Sequence, residues 1–335
     1  MNKRIRSLLA IFITLTVFVL SGNAQAQQPQ RSIVKIAGDL YRFQNNTHYS
    51  VFLVTTEGII ATDPINPGAA QWLKSEMDRR FGKPVKYVIY SHHHADHVSG
   101  GSVFADTAIF VAHEKTKPAI LAGQRQGFPP RIAAMDANGN GAIEREEGRG
   151  RFLANFDRID TDKDGAITAA EFAALRGGNI KLPNVLLSDR MTIELGGQIV
   201  ELTYVGRNHS DNSIVMRFPK ERALFAVDFI TVKRLPFRNL GDSFLPDWVD
   251  SLKKVEQMDF DILAPGHGVL GVKADVRDNR AYLEDLSAAV LKLAAEGKSL
   301  QDIQRMIKLE KYKDWGQYDD WLPLNIEGAY NLLVK

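Results

Sequence analysis

The chain has no cysteine in 335 residues. No disulfide can support its fold, no thiolate can bind a metal, and lipid attachment through an N-terminal cysteine is excluded. It also has little net charge, +2 overall. Three of its cations, Lys3, Arg4 and Arg6, open the chain. They precede an apolar run over residues 8–20 that is too short for a comfortable membrane span. Ala24-Gln25-Ala26 then supplies a small-x-small pattern. Together these read as a signal peptide cleaved after Ala26, and they predict a periplasmic or secreted protein. Without the leader's three cations the formal charge falls from +2 to −1. The remainder has no basic patch for nucleic acid and no amphipathic stretch for a membrane surface. A small molecule is the expected partner; the pattern does not fix an oligomeric state. At 44% hydrophobic residues the chain can bury a large core.

Histidine is scarce as well, with eight in the whole chain. Four of the eight fall in one hexapeptide, His92-His93-His94-Ala95-Asp96-His97. An apolar run over 85–90 precedes it and reads as a buried strand. His92 and His94 are two apart, so in extended backbone both point the same way. Asp96 and His97 follow where the chain turns, and can face a second point. That pattern suits two adjacent cations. Three more polar residues end apolar strands: His209 after 199–205, Asp228 after 223–227, and His267 after 261–264. A carboxylate at the end of Ala223-Leu224-Phe225-Ala226-Val227 needs a partner.

These residues resemble the metal-binding motifs of the metallo-β-lactamase superfamily, with the H-x-H-x-D-H signature first and the later ligands in order. The resemblance covers about residues 33–120 and 180–335. It implies that His92, His94 and His209 hold one zinc, that Asp96, His97 and His267 hold a second, and that Asp228 bridges them. Asp63 resembles the family's early aspartate that braces the metal loop. Asn239 matches a residue that helps hold a substrate carbonyl oxygen. Lys233 and Arg234 follow the bridging position at about the distance of a carboxylate-binding lysine. The downstream text is most similar to β-lactamases whose second site uses cysteine. This chain has Asp228 there, and His97 where those enzymes usually have arginine. Both departures point toward the superfamily's lactonases, thioesterases and other hydrolases. Five imidazoles and two carboxylates suit zinc, and imidazole also suits iron.

Periodicity predicts mixed α and β structure. Strands are expected at 33–43, 50–55, 58–62, 85–90 and 108–112, with a helix at 69–81. Later come hairpins at 191–195 with 198–205 and at 213–218 with 222–227, a helix at 246–257, a strand at 262–264, and helices at 275–296 and 300–309. Family resemblance adds the four-layer αββα sandwich. The expected organisation is a leader at 1–26, a metallo-β-lactamase-like body in two parts at 27–121 and 181–335, and an insertion at 122–180.

That insertion carries two resemblances to a calcium loop. The first has Asp136, Asn138, Asn140, Ala142, Glu144 and Glu147 at the ligand positions. The second has Asp160, Asp162, Asp164, Ala166, Thr168 and Glu171. Each places glycine at position six for the sharp turn and glutamate at twelve for bidentate closure. The pair resembles tandem EF-hands, with Ile143 and Ile167 able to join the loops as a strand bridge. Residues 151–159 are expected to form one helix shared by the two. One or two structural calcium ions follow from this reading.

The expected function is a secreted dinuclear zinc hydrolase that activates a shared water against an acyl bond in a β-lactam, lactone, ester or thioester. Two alternatives stand beside it. One is a non-haem iron oxidative enzyme of the same fold. The other is a calcium-responsive binding protein built on a hydrolase scaffold.

Overall fold

The computed structural model describes residues 28–334 except 126–127, 161, 170, 173–178 and 242. The expected leader, 1–26, lies outside the described residues. A seven-stranded sheet contains β1 (Arg31–Ala37), β2 (Leu40–Asn45), β3 (His48–Val54), β4 (Ile59–Thr62), β5 (Val85–Ile89), β6 (Ile109–His113) and β9 (Val185–Leu187), in that spatial order. A five-stranded sheet runs β10 (Arg190–Leu195), β11 (Gln198–Tyr204), β12 (Ile214–Phe218), β13 (Ala223–Phe225) and β14 (Ile262–Ala264).

Both sheets are covered on both faces, which is why their central strands read as unbroken apolar runs. Successive side chains point oppositely along a strand. Val88 and Phe110 therefore pack with Leu73 and Met77 of the helix Pro67–Phe81. Their neighbours Ile89 and Val111 meet Ile214, Met216 and Phe225 from the second sheet. Leu224 and Leu263 turn the other way, onto Trp248, Leu252, Leu283 and Leu286 of the helices Leu245–Glu256 and Lys273–Ala295. The layers are helix, sheet, sheet, helix.

Two local expectations change, and one helix is added. The predicted strand at 33–43 is a hairpin, because Gly38 adopts φ 47 and reverses the chain between β1 and β2. A final helix, Tyr318–Leu333, has Pro323 in its first turns and gave no clear periodic signal. The stretch 151–159 is two single turns, Gly150–Leu153 and Phe156–Ile159, interrupted at Asn155, whose side-chain amide donates to the Arg151 carbonyl.

The inserted region has its own small core. β7 (Ala142–Glu144) pairs antiparallel with β8 (Ala166–Thr168), with Ile143 opposite Ile167. Those two side chains cluster with Phe152, Phe156 and Ile159. No helix among the described residues is long and apolar enough to cross a membrane.

Candidate metal centre

The seven proposed ligands converge from four strand ends. β5 ends at Ile89 and delivers His92 and His94, and the turn Ala95–Val98 presents Asp96 and His97. His209 follows β11, Asp228 follows β13 and His267 follows β14. His92, His94, His209 and Asp228 form one group whose ligand atoms lie within 4.8 Å of one another. Asp96, His97, Asp228 and His267 form a second group on the same criterion, with Asp228 common to both. Asp228 sits at φ 64, a left-handed conformation costly for a side chain other than glycine. Gly266 is needed beside His267, since a Cβ there would lie 2.6 Å from Val227 Cγ1.

Hydrogen bonds fix how the rings present their lone pairs. Asp63 is fully buried, and its carboxylate accepts from the Ser91 backbone at 2.8 Å, from Ser91 Oγ at 2.6 Å and from His97 Nδ1 at 3.0 Å. Ser91 Oγ spends its proton on Asp63, so it accepts from His92 Nδ1 at 3.0 Å. His267 Nδ1 donates to the Thr47 carbonyl at 3.1 Å. Each of these rings is therefore protonated at Nδ1 and turns a bare Nε2 toward the cluster. His209 Nε2 and His94 Nδ1 face one another at 3.0 Å. His92 Nε2, His97 Nε2 and Asp228 Oδ1 are buried without a hydrogen-bond partner. His97 Nε2 lies 3.2 Å from Asp228 Oδ2 but is not aimed at it in bonding geometry. Buried lone pairs converging on a shared carboxylate fit a cation far better than they fit one another.

The electrostatics agree. Burial lowers His94 to about 2, helped by His92 and His209, and lowers His209 to about 4. Both are neutral and able to ligate. Burial alone would raise Asp96 and Asp228, yet the imidazoles around them, His97 foremost, hold both well below the usual carboxylate range. Burial also disfavours charge on His97, but Asp228 and Asp96 hold its pKa well above the ordinary value.

A cavity of about 750 Å³ opens over this cluster. Asn239 and Arg234 line it. Lys233 does not; it points to Asp275 and Asp278 on the helix Lys273–Ala295. His48 lines the cavity as well, with Nε2 3.4 Å from Asp96 Oδ2. His93 is anchored by its backbone N–H and its ring to Asn212 and belongs to neither ligand group, although its ring lies 4.6 Å from that of His94. His113 caps its strand end, bonding the Ser188 carbonyl. Sequence reasoning passed over Arg42. This buried guanidinium donates to the carbonyls of Pro265 at 3.0 Å and Gly268 at 2.7 Å, clasping the His267 loop, while Tyr49 stacks on it at 3.8 Å. Its only signal was a charge in an apolar strand.

The two calcium-like loops differ. In the second, Asp160, Asp162 and Glu171 bring ligand oxygens within 4.8 Å of one another, and Asp160 Oδ1 is buried without a hydrogen bond. In the first, Asp136 accepts from the backbone N–H groups of Gly139, Asn140 and Gly141, and Glu147 from those of Ala137, Asn138 and Glu144. Its Glu144 carboxylate is taken by the Asn138 and Asn140 amides.

Comparison with known proteins follows this geometry. The sequence pattern described as Metallo-beta-lactamase superfamily matches residues 67–267. One curated relative is the 2,4-dinitroanisole O-demethylase subunit alpha of Nocardioides sp. (strain JS1661), 24% identical over 246 residues. The alignment takes in 72% of this chain but only 58% of that protein, so the chain spans less than two thirds of its relative. Two solved structures share the fold. A metallo-beta-lactamase from Pontibacter korlensis has TM-score 0.53 at 18% identity, covering 76% of this chain and 99% of its own. A metallo beta lactamase from Hirschia baltica has TM-score 0.52 at 15% identity, covering 76% and 97%. Fold, family pattern and convergent His/Asp groups agree: the chain belongs to the metallo-β-lactamase superfamily.

Proposed function

We propose that this chain is a dinuclear metal-dependent hydrolase of acyl bonds, acting on a β-lactam, lactone, ester or thioester. The observation that carries this reading is the pair of ligand groups sharing Asp228, with three imidazoles locked to present Nε2. Two zinc ions held there would supply Lewis acidity and lower the pKa of bound water. The protein's own groups do the rest. His92, His94 and His209 would hold one ion and Asp96, His97 and His267 the other, with Asp228 common to both groups. Asp63 sets the orientation of His97. Asp96 faces the cavity, orients the attacking water and relays its proton. Asn239 holds the substrate carbonyl oxygen, and Arg234 attracts a negative group on the substrate.

The insertion, 122–180, is proposed as a structural calcium module, with the second loop the stronger site. The chain is proposed to be exported through its leader, leaving a two-part body at 27–121 and 181–335.

Elemental analysis of tag-free protein, paired with a panel of nitrocefin, lactones, esters and thioesters on the zinc-loaded enzyme, tests the proposal. About two zinc-class ions per chain with turnover of one acyl class are expected. Stoichiometric iron with no hydrolysis after zinc loading would sink it. That outcome would favour the second reading, an iron-dependent oxidative enzyme on this fold. Imidazole ligands suit iron too, and one relative is named an O-demethylase.

A further inference from the structure

Beyond the metal ligands the cavity is lined by two segments, the loop 230–241 and the start of the C-terminal helix Tyr318–Leu333. That helix lies beyond the family match at 67–267. On this wall one cation and two aromatic rings stand together. The Arg234 guanidinium sits 4.7 Å over Trp321. The Phe237 ring meets Trp321 edge-on, with centroids 5.2 Å apart and planes at 85°. Arg238, outside the cavity lining, lies 5.1 Å over Phe237. Neither guanidinium is paired with a carboxylate among the described residues, and Arg234 Nε is buried without a hydrogen bond.

The cluster is held in place. Asn325, fully buried on the C-terminal helix, donates to the carbonyls of Pro236 and Arg238, on either side of Phe237. Gly328 on the same helix lets the Asn239 carbonyl approach to 2.2 Å of where a Cβ would stand. Backbone strain concentrates here too. Of ten non-glycine residues with positive φ among the described residues, five are Asp228, Lys233, Arg238, Leu240 and Gln317. Strain of this kind persists where surrounding structure over-determines the backbone, and it clusters at ligand sites. Phe237 nevertheless remains 56% exposed. Phe237 and Trp321 are in contact and both line the cavity, so the exposed ring belongs to a concave apolar surface and is not an isolated one.

We infer that the substrate carries a planar aromatic ring and a negative group, the ring packing on Phe237 and Trp321 and the anion meeting Arg234, with its acyl bond directed at the metal ligands. This rests on the reading of the cavity as a substrate site, and it makes Trp321 and Phe237 specificity-determining residues. Flat rings prefer offset or edge-on contact with Trp and Phe, and a guanidinium behind the ring face polarises the stack. A saturated ring of the same size gains the burial but not that contact.

The test is calorimetric binding of 2-naphthoate and of its saturated analogue, decahydro-2-naphthoate, to the metal-loaded full chain. Wild type should bind the aromatic acid about five- to tenfold tighter than the saturated one. Phe237→Leu and Trp321→Leu should lose that preference while keeping metal content. Arg234→Gln should weaken both acids together. Phe237 is exposed, so its variant keeps the test open if Trp321→Leu fails to fold. Equal affinity for the two acids in wild type, or a preference that survives in Phe237→Leu, overturns the inference. Metal content and acyl turnover are read on the same samples. A chain that shows the preference but holds no metal would retain the aromatic site and lose the hydrolase.

Discussion

Replacing Asp63 by asparagine is the sharpest probe of how the metal centre is organised. The change is isosteric and touches no proposed ligand. Asp63 accepts three hydrogen bonds: from the Ser91 backbone, from Ser91 Oγ and from His97 Nδ1. An asparagine oxygen can still accept from the Ser91 N–H. Its NH₂ group would then face His97 Nδ1, donor against donor. The ring escapes by moving its proton to Nε2, where it blocks the lone pair aimed at the second site. Losing such an outer hydrogen bond typically weakens metal binding 10- to 100-fold, about 1.4–2.8 kcal/mol. The loss should be uneven. His92 still finds Ser91 Oγ, because that hydroxyl can accept from the new amide and from His92 together, so the first site should change little. Stepwise titration with Zn²⁺ against a chelating indicator would resolve the two affinities. Asp63→Asn should show a first ion bound as in wild type and a second weakened at least tenfold. Two unchanged ions, or loss of the first with retention of the second, would refute the reasoning.

Other perturbations separate the remaining roles. Asp228→Ala removes the one carboxylate common to both groups, so metal content measured by mass spectrometry should fall at both sites and turnover should collapse. His93→Ala should leave metal content and kcat within a few-fold of wild type, because the backbone N–H that Asn212 holds remains; damage as great as in His94→Ala would mean the wrong histidines are assigned. Arg42→Met frees the loop carrying His267 from two charged hydrogen bonds, and should lower second-site affinity and melting temperature without touching the first site. Calcium at a hundred times its dissociation constant should stabilise the fold by about 2.7 kcal/mol, read as a higher melting temperature with zinc buffered. That gain should vanish in Asp160→Ala with Glu171→Ala, and calcium-gated turnover with an unmoved melt would make the insertion a regulator instead.

What the sequence disclosed follows from the range of the interactions involved. The run from His92 to His97 is local, so its two-point geometry is readable from spacing. His209, Asp228 and His267 are legible because a polar residue closing an apolar strand is an anomaly by itself, and the family pattern orders them. Arg42 is different: its partners lie 223 and 226 residues away, and nothing near it in the chain announces them. The Trp321 wall is hidden for a similar reason, since Pro323 obscures the helix that carries it. Gly38 misled the strand reading because its neighbours, Ala37 and Leu40, are apolar on both sides of the turn. Lys233 and Arg234 are adjacent and alike in sequence. A left-handed φ of 47 at Lys233 sends one side chain outward and leaves the other over the cavity.

The two ligand groups share a topological property that bears on mechanics as well as affinity. Each draws side chains from both sheets: His92, His94, Asp96 and His97 hang from the seven-stranded sheet, and His209, Asp228 and His267 from the five-stranded one. An ion in either group would therefore be a rivet through the sandwich. The cavity leaves that ion an exit, so exchange does not require the sheets to part. Parting the sheets, by contrast, would tear the ion's shell along with the Arg42 clasp and the His48–His267 bridge. A bound ion would therefore raise the cost of opening that end of the sandwich, and amide exchange at the ends of β5, β11, β13 and β14 should slow when metal is loaded.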